Sequence, residues 1–110
     1  EEKEFIGICV DTCHIFSGGF DISSKRGVRY FFLLFDSLIG LEHLALIHLN
    51  DSKTELGGCV DRHENIGKGK INIKGLHEFV KQAKKFRIPT VLETPDETKY
   101  ENEIKWIDNV

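Results

Sequence analysis

Short apolar runs with strand periodicity alternate along this chain with longer stripes at helical spacing. Residues 4–11 (EFIGICVD) alternate like a strand, with Ile6, Ile8 and Val10 facing one way and Gly7, Cys9 and Asp11 the other. A Gly-rich turn follows at residues 17–21 (SGGFD). Ser23 or Ser24 can then cap a helix whose apolar stripe is Val28, Phe31, Phe32, Phe35, Leu38 and Ile39, with Gly40 placed to end it. Residues 44–49 (LALIHL) read as a second strand carrying His48 near its C-terminal end. A polar loop over residues 51–73 contains Gly57, Gly58, Gly67 and Gly69. The next helix has Leu76, Phe79, Val80 and Ala83 on one face, and Lys81, Lys84, Lys85 and Arg87 crowd its end, where they suit the helix dipole. Residues 89–94 (PTVLET) form a third strand ahead of Pro95, and a final helix spans about 98–108 with Ile104 and Ile107 packing inward.

Strands separated by helices in this order imply parallel pairing through right-handed crossovers, with helices covering the sheet. The expected class is α/β. A (β/α)8 barrel of the TIM type needs about 200–250 residues to close. The 110 residues here are therefore expected to form a single partial domain over 1–110, about three strands of such a barrel. The chain has no methionine and begins at Glu1 directly ahead of a strand, so it is expected to be a piece of something longer. The stripe of Phe31, Phe32 and Phe35 is expected to be poorly covered in a partial barrel.

Composition narrows the partners. The 15 basic and 18 acidic residues give a net charge of −3, so affinity for phosphates cannot come from bulk charge and must come from a few placed cations or from metal. No apolar run approaches the roughly 18 residues that span a bilayer, and no signal-peptide pattern opens the sequence. Cys9, Cys13 and Cys59 are odd in number and lack CxxC spacing, which favours a reducing compartment, cytoplasmic or nuclear.

Chemistry-bearing side chains gather at the strand ends. Asp11 and His14 close the first strand (DTCH), His48 the second (HLND) and Glu93 the third (LET), while Asp61 and His63 (DRH) sit in the long loop. All fall on the C-terminal side, where parallel barrels build their sites. Each has an ordinary alternative when taken singly. Asp11 could cap the following helix, His48 could be a half-buried histidine, Glu93 could solvate a loop, and Asp61-Arg62-His63 could be an exposed turn. Together the six favour a metal cluster, because an unpaired carboxylate at a buried strand end is costly. His43 precedes its strand and His77 lies within a helix, so neither joins the set. Cys13 is read as packing, since thiolate and carboxylate rarely share a hydrolytic zinc site.

The segments VDTCHIFSGGFD, HLNDSK followed by DRHENIGKGKI, and VLETP resemble the successive signatures of the endonuclease IV family of apurinic/apyrimidinic endonucleases. The resemblance runs from about Phe5 to the C-terminus. It implies a (β/α) barrel with up to three zinc ions that incises double-stranded DNA 5′ to abasic sites and trims blocked 3′ ends. Carried over by position, it implies Asp11, His48 and Glu93 on one zinc and His14, Asp61 and His63 on another, with Glu93 and Asp11 as catalytic groups. Two further histidines and a bridging carboxylate would lie in an N-terminal half, so this chain by itself is expected not to incise. Arg62 and Lys53 are the first candidates for DNA contacts, followed by Lys68 and Lys70 in the Gly-containing loop. Two alternatives remain: a metal-dependent sugar isomerase or epimerase of the same barrel superfamily, and an inactive metal-binding remnant. A single-metal isomerase has no use for the Asp61 and His63 pair.

Overall fold

The computed structural model describes residues 6–110. Three parallel strands form one sheet in the order β1 (Ile8–Asp11), β2 (Leu44–His48), β5 (Thr90–Val91). Asp11 is the register partner of His48, and His48 that of Val91. The strand ends are therefore level, with Glu93 two residues beyond β5. The α/β class and the partial barrel are as the sequence implies. Strand lengths are not. Glu4 and Phe5 lie outside the described residues, and residues 89–94 contribute only Thr90–Val91 to the ladder.

Three elements were not expected. A short helix α1 (Thr12–Ser17) starts directly at the end of β1, where the sequence suggested only a turn after His14. Asp11 is its N-cap, accepting from the His14 amide at 3.1 Å. Within the long loop, β3 (Asp51–Ser52) and β4 (His63–Glu64) pair antiparallel, with Ser52 opposite His63.

Helix α2 (Lys25–Leu38) is capped by Ser24, whose hydroxyl accepts from Gly27 N at 3.0 Å, while Ser23 Oγ accepts from Asn72 N at the start of α3 (Ile73–Lys85). The two helices pack closely. Phe31 and Phe32 on α2 meet Phe79, and Phe32 also meets Phe86 just past α3, with Phe32 and Phe79 ring centroids 5.0 Å apart, while Phe35 packs against Phe31. The aromatic stripe is thus covered within the chain, contrary to expectation, because α3 supplies the facing surface. Leu38 and Ile39 are exposed and fall off the stripe. Gly75 makes the approach possible: a Cβ there would collide with the Ile22 carbonyl oxygen.

The last helix, α4 (Tyr100–Asp108), follows a single 3-10 turn at Glu97–Lys99. Ile107 packs on the core, but Ile104 is half exposed and Glu103 is buried in its place. The inward face runs Glu103, Trp106, Ile107 and Val110, an i, i+3, i+4, i+7 set shifted one position from the apolar guess. Glu103 is inside because its oxygens accept from Thr94 Oγ1 at 2.7 Å, Ile66 N at 2.7 Å and Asn65 Nδ2 at 3.3 Å. That carboxylate ties α4 to the loop after β4 and to the segment after β5.

Candidate metal centre

Asp11 stands at the middle of the strand-end side chains. Its Oδ1 caps α1, and its Oδ2 accepts from Asn50 Nδ2 at 3.1 Å while lying 3.0 Å from His63 Nε2 and 4.0 Å from His48 Nδ1. The ordinary cap reading and the ligand reading of Asp11 are therefore compatible, one through each oxygen. His48 Nδ1 also lies against Glu93 Oε1. Asp11, His48 and Glu93 each offer a donor atom within 4.8 Å of the others. A second group at the same spacing is Asp11, Cys13, Asp61 and His63, so Asp11 is common to both.

His63 reaches this position from β4. Its Nδ1 lies 3.0 Å from the Glu93 carbonyl oxygen, which can only accept, so Nδ1 carries a proton and Nε2 is the nitrogen left to face a metal. Nε2 is buried and has no hydrogen-bond partner among the described residues; Asp11 Oδ2 and Asp61 Oδ1 lie 3.0 and 3.4 Å from it. Donors sharing one zinc sit about 3–4 Å apart, so an unsatisfied imidazole nitrogen between two carboxylates fits a cation.

His14 departs from its expected position. It projects from α1 with a side chain 73% exposed, and its Nδ1 lies 3.8 Å from Asp61 Oδ2. It meets His63 only through Asp61 and stays outside the tighter group. Cys13 falls inside that group, yet its thiol is buried and donates to the Arg62 carbonyl at 3.3 Å. Burial pushes the thiol up to about 11, which suits packing better than ligation at neutral pH. The Arg62 and Lys53 side chains are exposed beside the site, joined through a Lys53 N to Arg62 O bond of 2.9 Å. Lys68 and Lys70 are exposed on the following loop.

Two residues of the HLND segment carry the support, and the sequence reading passed over both. Asn50 is fully buried. Its side chain donates to Asp11 and accepts from Glu93 N at 2.9 Å, and its backbone exchanges bonds with Thr12 Oγ1 at 2.8 and 2.6 Å. One amide thus sets the spacing between the first and third strand ends. Asp51, also fully buried, accepts from the amides of Ser52, Gly67, Gly69 and Ile71 at 2.8–3.0 Å. Burial pushes this carboxyl above its ordinary value, against the downward pull of the four amide bonds. Gly69 belongs to this cage, because a Cβ there would strike Asp51 Oδ1 at 2.5 Å. The available signal was a pair of short polar residues directly after an apolar strand, followed by a G-x-G loop.

Parallel strands with imidazole and carboxylate donors gathered at their C-terminal ends define a segment of a (β/α) barrel with its reactive side complete over three strands. The family described as "Xylose isomerase-like TIM barrel" matches residues 1–110. A protein of Thermosipho melanesiensis named "Probable endonuclease 4" is 51% identical over 108 residues, covering 97% of this chain and 38% of that protein. One of the same name from Chlorobium phaeobacteroides is 44% identical over 103 residues, covering 94% of this chain and 36% of its own length. Among solved structures, endonuclease IV from Thermus thermophilus superposes with a TM-score of 0.78 at 29% identity, over 94% of this chain and 39% of that one. The chain belongs to the xylose isomerase-like TIM-barrel family, among its endonuclease IV members. It spans less than two fifths of the length of these relatives.

Proposed function

We propose that this chain is the C-terminal part of the catalytic barrel of a zinc-dependent phosphodiesterase of DNA base-excision repair. The complete protein would incise the backbone 5′ to abasic sites and trim blocked 3′ ends. The observation that carries this reading is the buried, unpartnered Nε2 of His63 facing Asp11 and Asp61. Asp11, His48 and Glu93 would hold one ion. Asp61 and His63 would hold another with His14, which reaches it by turning about its side-chain torsions. The curated relatives, named for endonuclease 4, and the Asp61 and His63 pair both favour this reading over a single-metal sugar isomerase.

Zinc in these positions would supply charge neutralisation at the phosphate and a nucleophile at neutral pH. The protein's own part is positional. Asn50 holds Asp11 and the Glu93 backbone in register, and the Glu93 carbonyl fixes the His63 tautomer. The Glu93 side chain, half exposed at the mouth, can accept a hydrogen bond from the attacking water and aim it. Arg62 and Lys53 lie where they can hold flanking phosphates of double-stranded DNA. An abasic position offers itself because a nucleotide without a base costs less to turn out of the helix.

The test is a chimera in which this chain replaces the matching segment of the Thermosipho relative. Supplied with a duplex bearing one abasic site, it should nick 5′ to that site, lose the activity to a chelator and regain it with zinc. The unjoined chain should leave the duplex intact. A folded, zinc-loaded chimera that does not cut, beside a parent that does, would contradict the proposal.

A further inference from the structure

Beside the metal centre, separated from it by the width of β4, is a second concavity of about 710 Å³. Successive strand residues point to opposite faces, so His63 turns toward Asp11 while Glu64 turns into this pocket. Its apolar lining is Ile66, Ile73, Pro95 and the half-buried Trp106. Its rim carries Lys53, Lys68 and Lys99, all outward-facing, and none forms an ion pair among the described residues. The acidic residues in the wall are occupied from within the chain. Glu103 accepts from Asn65, Ile66 and Thr94, Asp96 Oδ1 accepts from Thr98 N and Oγ1, and Glu64 Oε1 accepts from Asn65 N. These carboxylates keep their charge, and Asp96 is lowered in part by Lys99; what is left over is an apolar surface with Trp106 and Pro95, rimmed by Lys53, Lys68 and Lys99.

We infer that this pocket binds a nucleotide of the DNA strand that still carries its base, with the base against Trp106 and Pro95 and its phosphate among Lys53, Lys68 and Lys99. An apolar floor alone would suit many ligands, and lysines alone would suit any anion. The combination selects a group with a π face and a negative charge one sugar away, and base stacking on an aromatic side chain is tolerant of sequence. The inference rests on the proposed DNA substrate but not on zinc. Its role is to fix the strand next to the reacting phosphate, so that the position in the metal centre is the one without a base.

Trp106 is the single tryptophan and lines both this pocket and the neighbouring hollow by Lys25, Lys74 and His77, so its emission is read together with the Lys68 and Lys99 variants. The chain is titrated, in a chelator, with a thymidylate tetramer and with a tetramer of base-free deoxyribose phosphates of equal charge. The thymidylate tetramer should quench Trp106 saturably and bind at least about tenfold tighter than the base-free one, the order expected for one stacked base. Lys68→Ala with Lys99→Ala should weaken it by a further factor of about ten or more, while Lys81→Ala leaves it unchanged. Equal affinity for the two tetramers, indifference to Lys68 and Lys99, or absence of quenching would each overturn the inference. Zinc affinity, measured separately, decides the metal reading independently of all these outcomes.

Discussion

At His63, one ring nitrogen is held by the Glu93 carbonyl and the other faces only carboxylate oxygens. At Asn50, a single side chain binds the first strand end and the third. On the proposed reading, these two residues divide the labour between holding a metal and holding the holders. Asn50→Ala should therefore lower zinc affinity by about 10–100-fold although Asn50 is no ligand, because freed ligands must be ordered on binding. Zinc titration with circular dichroism as a check on folding measures this; an unchanged affinity in a folded variant would show that the ligands are positioned by other contacts. The three cysteines offer a second test at the same scale. Cys13 is buried with its thiol pushed up to about 11, and Cys9 is also raised, by burial and by the nearby Asp11 and Glu93 charges. Cys59 is exposed in the loop. Alkylation at pH 8 followed by mass spectrometry should modify Cys59 first and Cys13 only after unfolding. Early modification of Cys13 would mean that α1 does not cover it.

Among the elements, the loop after β2 is an organised structure whose centre is Asp51. Replacing Asp51 with Ala leaves four amides without their acceptor, and each buried orphan costs about 1–3 kcal/mol. The expected loss is at least about 3 kcal/mol in a denaturant melt, with the His63 side of the site loosened. A loss below about 1 kcal/mol would mean that water reaches those amides. The α2–α3 pair contributes to the pH dependence. Glu78 is buried on α3; burial would raise its pKa, but the Gln82 hydrogen bond and the Arg29 charge outweigh it and hold the carboxyl below its ordinary value. A carboxyl lowered in the folded state contributes stability that is present above the ordinary glutamate range and is lost as pH falls through the folded value. Asp96, lowered by its Thr98 bonds, has the same sign. Thermal melts from pH 6 to pH 3 should thus fall more steeply for the parent than for Glu78→Gln. Parallel curves would remove Glu78 from the acid response.

For the molecule as a whole, much was legible because parallel α/β architecture writes itself in periodicity. The stripes of Val28, Phe32 and Phe35, and of Leu76, Phe79 and Ala83, locate α2 and α3, and the apolar runs ending in Asp11 and His48 locate the strands. Four of the six donors were visible at strand ends and Asp61 and His63 in the long loop, and five of the six (Asp11, His48, Glu93, Asp61 and His63) fall into the two tight groups. Three features were not legible. Asp11 serves two partners with its two oxygens, which composition cannot show. His14 lies outside the tight groups because α1 begins at once and turns it outward. Buried Glu103 replaces Ile104 because its hydrogen-bond partners come from residues 65, 66 and 94, far away in sequence.

The central claim is that the strand ends of this chain hold metal through His63 and Asp11. Calorimetric titration of the chain with zinc, beside His63→Ala, His14→Ala and His43→Ala, tests it most directly. The parent should bind zinc, His63→Ala should weaken the tighter site by about tenfold or more, His14→Ala should weaken it less, and His43→Ala should change it little. Zinc binding that is absent in the parent, or undiminished in His63→Ala, would contradict the account.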